Sequence, residues 1–437
     1  MSRIDLRARL ARLPERAPLP WRGRVVELTG LAVRAALGPV RQGELCHIDR
    51  SGAAPLPAEV VGFRAGEAVL LPLGETRGLA LGAAVTPTGR PLTVGAGRAL
   101  LGRVLDGLGR PIDGREAPRG LDPWAVDRPA PRPLSRRRVT APLTLGVRAI
   151  DALLTAGEGQ RLGLFAGSGV GKSTLLGQIA RGTAAEVVIV GLVGERGREV
   201  RDFVEVALGP EGLARSVVVA ATSDAPALVR LQAANVATAL AEWFAEVDGR
   251  RVLLLLDSVT RFARAQREVG LAAGEPPARQ GYPPSVFAAL PRLLERAGQR
   301  ERGAVTAVYT VLVAGGDLEE PIADEVRGIL DGHVVLDRAL ASRGRFPAIE
   351  VLQSVSRVMP EVVSDRHREL AGRARRLLAA LERQRDLIAL GAYRAGSDPE
   401  ADEALARRDA LDRLLAQDAA EATTLAEAVS ALEEALA

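Results

Sequence analysis

The chain has 437 residues, 47% of them hydrophobic and 26% charged, with a formal net charge of +4 and 3% aromatics. That is apolar material for two or three domains, with too weak a positive field and too few stacking rings to indicate a nucleic-acid partner. Cys46 is the sole cysteine, which excludes an intrachain disulfide and a cysteine-built metal cage, and no apolar run approaches the roughly 18 residues of a membrane span. A cytoplasmic location is the expectation.

Residues 1–20, "MSRIDLRARLARLPERAPLP", set Leu6, Leu10 and Leu13 on one helical face before prolines stop the pattern. Such a segment suits a docking tail or a solvated terminus equally. Over 21–95, short Val/Leu-rich runs such as "GRVVELTGLAVRAAL" and "EVVGFRAGEAVLLPLG" alternate with Gly and Pro turns, the pattern of a small β-barrel. Gly/Pro turns and the extended connector "DRPAPRPLSRRRV" follow.

The section to residue 358 alternates apolar β-rich runs, "RLGLF", "EVVIVGLV", "SVVVAAT", "RVLLLLD" and "AVTAVYTVLV", with amphipathic stretches. Buried strands separated by helices predict a parallel sheet covered on both faces. From 359 to 437 the strands give way to helical patterns such as "RHRELAGRARRLLAALERQRDLIAL", which predict a C-terminal helical domain.

The richest chemistry lies in "GLFAGSGVGKSTLLG". Lys plus Arg number 58, and Lys172 is the single lysine among them. Where arginine is the default cation, a retained ammonium indicates a need for a compact, flexible point charge. Gly167, Ser168, Gly169, Val170 and Gly171 form a loop between a strand and a helix that opens with Lys172, Ser173 and Thr174. Backbone N–H groups of such a loop curl round a phosphate, the helix N-terminus adds positive potential, and the lysine reaches the outer phosphates. Ser173 is the expected Mg2+ ligand. Ala166 replaces the first glycine of the strict pattern.

"RVLLLLD" ends in Asp257, placed to hold Mg2+ at the sheet edge or to cap the next helix. "GLVGERGREV" puts Glu195 just past another strand end, where it could orient and deprotonate a water or simply favour a helix N-terminus.

Together with "GERGREVRDF", "LLLLDSVTRFARAQREVG", "GYPPSVFAALPRLLERAG", "DEVRGILDGHVVLDRAL" and "FPAIEVLQSVSRVM", these segments resemble the type III secretion ATPases, the flagellar and virulence export enzymes related to the catalytic subunit of rotary ATP synthases. The resemblance runs from about residue 22 to the end. It implies an α/β protein with an N-terminal β-barrel, a RecA-like P-loop core and a helical C-terminal domain, assembled as a homohexamer with ATP and Mg2+ between subunits. It assigns Lys172 and Ser173 to the phosphate and metal, Asp257 to the metal, and Glu195 to catalysis with Arg196 beside it. It also makes Arg261 a pocket arginine, Phe346 an adenine contact, and Arg357 a finger reaching a neighbour's nucleotide.

Implied partners are a central coiled-coil stalk, a stator-like regulator, chaperone–substrate complexes and a membrane export gate, with the enzyme peripheral to the secretion apparatus. Two other functions share these residues: a rotary ATP synthase subunit and a nucleotide-binding scaffold without turnover. "TPTGRPL" and "YTVLV" favour virulence over flagellar service.

Overall fold

A computed structural model describes residues 21–437; the tail with Leu6, Leu10 and Leu13 lies outside them. Two compact units divide at Leu92 and Thr93. In the first, β1 (Gly23–Thr29), β2 (Ala32–Ala36), β3 (Glu44–Arg50), β4 (Ala53–Arg64), β5 (Glu67–Pro72) and β6 (Ala84–Pro91) close a barrel in the order β1-β2-β5-β4-β3-β6. Alternate residues point inward, so Val25, Val33, Cys46, Ile48, Val60, Leu70 and Val85 fill the interior. Burial pushes the Cys46 thiol up to about 12, making it a packing residue rather than a nucleophile.

The second unit carries the sheet. Its strands are β7 (Arg103–Asp106), β8 (Arg161–Ala166), β9 (Val187–Glu195), β10 (Ser216–Thr222), β11 (Arg251–Asp257), β12 (Ala304–Leu312), β13 (Gly332–Leu336) and β14 (Ile349–Ser356). They lie in the order β14-β13-β8-β12-β11-β9-β10-β7, and a short strand, Gly298–Gln299, also pairs with β12. The strands in this order are parallel except β14, which runs antiparallel to β13, and the short strand Gly298–Gln299 is antiparallel to β12.

The runs predicted to be buried are so: every residue of β9 is buried, as are all but the first of β11. Continuous apolar strands need cover on both faces, and the helix Ala227–Glu246, buried along most of its length, supplies part of it. Because β8, β9 and β11 are parallel, their C-terminal ends share one edge. That edge presents the glycine loop, Glu195 and Asp257.

The C-terminal helices Asp365–Arg383, Pro399–Ala406, Arg408–Leu415 and Leu425–Leu436 turn Leu370, Leu377, Leu411, Leu414 and Leu432 into one apolar cluster. Leu145, Ile150, Leu162 and Leu175 belong to the same cluster, so helical domain and nucleotide core bury a common interior. Thr424 and Glu427 form a reciprocal capping box at the start of the last helix. No helix among the described residues is long and apolar enough to cross a membrane.

Candidate nucleotide-binding site

The loop after β8 leads into helix α1 (Lys172–Gly182), capped by Gly171 at φ 88°. A side chain there would be strained, and a Cβ on Gly171 would lie 3.4 Å from the Phe346 ring. Phe346, 46% exposed, thus stands at the loop's rim, accessible for stacking. Val170 is buried and anchors the loop, whereas Ser168, Gly169, Ser173 and Thr174 are exposed. The Arg338 Nη2 donates to the Ser168 carbonyl at 3.2 Å, holding the loop from outside.

Lys172 reaches across the sheet edge. Its Nζ donates to Asp257 Oδ1 and lies 3.7 Å from Glu195 Oε1. Thr310, from β12 between the two strands, donates to the same Asp257 oxygen at 2.7 Å. The ammonium thus balances two buried carboxylates, Asp257 and Glu195.

Glu195 is aimed by a bulge. The β9–β10 register shifts between Val193 and Glu195, and Gly194 takes φ 69°, so the strand end rotates the carboxylate toward Lys172. The Arg261 guanidinium donates to the Gly194 carbonyl and, through Nη2, to Glu195 Oε2 at 3.0 Å. Glu195 Oε1 receives no hydrogen bond among the described residues although it is buried, which makes it an acceptor aimed into the site.

Burial, a hydrogen bond shared with Glu199 and the charge of Asp257 push the Glu195 carboxyl up to about 7, against the pull of Lys172 and Arg261. The same hydrogen bond holds Glu199 below the usual range. Arg196 turns to solvent and pairs with Glu199 at 3.2 Å, so it stands at the margin of the site rather than against Glu195.

Beside the loop lies a cavity of about 720 Å³, lined by Gly169, Thr174, Gln178, Phe346, Gln417 and Glu421, among others. The Gln417 N–H donates to the Phe346 carbonyl at 2.9 Å, and Gln178 donates to the carbonyls of Asp418 and Glu421. The helical domain therefore closes one wall of the pocket. Thr310 and Arg338 lie in segments whose spacing gives them no site role, and the 416–421 loop carries no motif; the sheet order and the shared apolar cluster bring them in.

Arg357 is not brought into this pocket. Leu336 pairs with Ala166 on one side and Ile349 on the other, whereas Gly332 pairs with Ser356. Arg357 therefore leaves the sheet at the edge opposite the loop, about 13 Å away along the strand. It is exposed, and among the described residues its guanidinium has no hydrogen-bond or ion-pair partner.

A glycine loop opening a helix with lysine, and two further strand ends carrying carboxylates at one edge, define a RecA-like P-loop nucleoside triphosphatase. Residues 146–356 match the ATP synthase alpha/beta family nucleotide-binding domain, and 363–434 match the T3SS EscN ATPase C-terminal domain. The chain is 54% identical over 397 residues to the type 3 secretion system ATPase of Xanthomonas euvesicatoria, covering 90% of this chain and 89% of that one. It is 51% identical to the flagellum-specific ATP synthase of Bacillus subtilis, covering 94% of each. The assembled ATPase EscN from the enteropathogenic E. coli type III secretion system superposes with a TM-score of 0.90 at 44% identity, over 95% of this chain and all of that one. EscN in complex with its central stalk EscO superposes at 0.88, with the same identity and coverage. The chain belongs to the type III secretion and flagellar export ATPases of the ATP synthase alpha/beta family, and it is an ATPase.

Proposed function

We propose that this ATPase is the motor of a virulence-type secretion system, hydrolysing ATP in a homohexameric ring to strip chaperones from substrates and feed the unfolding chains to a membrane export gate. The observation that carries the shared-site part is the position of Arg357: a free guanidinium at the sheet edge opposite its own phosphate loop is useless to its own nucleotide and available to the next copy's. Head-to-tail contacts of that kind generate rings. EscN has been described in an assembled form and with its central stalk, which supports a ring and a coiled-coil stalk partner here. The stator-like regulator and peripheral attachment beneath the membrane belong to the same proposal.

In the completed pocket, the loop 167–171 and Lys172 bind phosphates, Phe346 faces adenine, and Arg261 steadies Glu195. The Glu195 Oε1 left without a donor accepts the proton of the attacking water. The exposed Ser173 hydroxyl and the Asp257 carboxylate, which already carries a cation in Lys172, fit Mg2+; when bound, the metal would neutralise phosphate charge.

Specific phosphate release should rise with protein concentration, and Arg357→Ala should flatten that rise at a low rate. A dilute single copy working at the full rate would overturn the shared site. For the choice of service, the segments Thr86–Leu92 and Tyr309–Val313 are the support, and relatives of both services have nearly equal identity. Restored secretion in an injectisome ATPase deletion, without restored motility in a flagellar one, is the expected result; the reverse would reassign the protein.

A further inference from the structure

The backbone of Arg357 is held by a buried polar clasp that neither phosphate binding nor hydrolysis requires in its own subunit. Gln160, fully buried at the start of β8, donates from Nε2 to the Asp331 carbonyl and to Ser356 Oγ, both at 3.1 Å, and accepts at Oε1 from the Gly157 N–H at 2.8 Å. The same Asp331 carbonyl accepts the Arg357 N–H at 3.0 Å. Gln160 thus grips both flanks of the residue: Ser356 before it in the chain, and the carbonyl that its amide binds.

Each partner is itself saturated. Ser356 Oγ donates to the Thr155 carbonyl at 2.9 Å and accepts from the Met359 N–H at 3.2 Å as well as from Gln160, which exhausts a hydroxyl. The Asp331 carboxylate accepts two bonds of 3.0 Å from Arg161 Nε and Nη2. A Cβ on Gly332 would lie 2.5 Å from the Val355 carbonyl, so the strand end is pressed against its neighbour. Beyond this clasp the Arg357 side chain is exposed.

We propose that Gln160, with Ser356 and Asp331, is a positioning device for Arg357, fixing the direction in which each subunit presents its guanidinium to the neighbouring nucleotide. A cation that stabilises charge in the transition state must be placed before the reaction, and a misplacement of about 1 Å through a distant change can cost a hundredfold. This inference rests on the shared-site reading above. Its distinctive consequence is directional: loosening the clasp harms the neighbour's pocket and spares the subunit's own.

The test mixes two inactive full-length chains. Lys172→Ala lacks a working pocket but retains Arg357, whereas Arg357→Ala retains the pocket. An equimolar mixture should recover phosphate release at interfaces where the first lends its arginine to the second. Adding Gln160→Leu to the Lys172→Ala chain should cut the recovered rate by about tenfold or more, with little change in KM. Adding it to the Arg357→Ala chain should leave recovery at the level of the parent mixture.

Equal loss from both placements, or none from either, overturns the clasp. No recovery in the parent mixture overturns the shared site itself and the clasp with it. If Gln160→Leu fails to fold, Ser356→Ala in the same two placements removes the hub hydroxyl and reads the same asymmetry.

Discussion

Lys172 shows why one ammonium persists among arginines. Its Nζ, a compact point charge, approaches two buried carboxylates from the end of a glycine loop, where a bulkier planar guanidinium would compete with phosphate for the cradle. Lys172→Arg should cut phosphate release by at least about a hundredfold while leaving the melting temperature near that of the parent, because the pairing with Asp257 survives; normal turnover would refute this account.

Glu195 adds a pH dependence. Burial and its neighbours push its carboxyl up to about 7; under the proposed function Glu195 is the base, present above that pH and lost below it, so kcat/KM should fall as pH drops through about 7. A raised folded-state value also means that stability from this group is greatest in acid and is lost as pH rises through 7. Glu195→Gln should therefore lower turnover by about a hundredfold or more. It should raise the melting temperature more at pH 8 than at pH 5, a contrast that calorimetry at the two pH values reads directly.

At the scale of elements, the pocket is made by what three strand ends and one distant loop deliver together. The Gly194 bulge turns Glu195 inward, and Arg261, one turn into its helix, locks the bulge from the adjacent strand's side. Phe346 precedes β14 and meets both the phosphate loop and Gln417. In the proposed pocket its ring contributes contact area for a base and nothing to the reacting phosphate. Phe346→Ala should raise KM for ATP by about tenfold with kcat nearly unchanged; a kcat loss at constant KM would remove it from the base site. The glycine loop, Asp257 and Glu195 were legible because strand-end chemistry follows hydrophobic runs in sequence. Gln417 was not, since nothing local marks a helical-domain loop as the wall of a distant pocket.

For the molecule as a whole, the end of the sheet remote from the nucleotide is held by charge. Arg296 binds Glu242 through Nε and Nη2 at 2.9 and 2.8 Å and the Val126 carbonyl at 3.0 Å, with both side chains buried. Arg300 and Arg128 add longer pairings to Glu242. The connector, the helix Ala227–Glu246 and the 296–300 turn thus converge on one carboxylate. Removing it would leave the buried Arg296 without a carboxylate, while Arg128 and Arg300 keep their pairings to Glu246, so Glu242→Ala should destabilise the second unit by about 3–5 kcal/mol, measured by denaturant unfolding; a cost below about 1 kcal/mol would mean that water replaces the pair.

The amino-acid order by itself determined the barrel pattern, the alternation of buried strands with helices, and the phosphate loop, because these depend on residue periods and on groups a few positions apart. Sheet order was decided only in three dimensions: it places Thr310 between the lysine's strand and the aspartate's, folds the 416–421 loop over the cavity, and sends Arg357 to the far edge. Those placements come from which apolar faces bury one another across hundreds of residues, a property of the packed whole that no local spacing encodes.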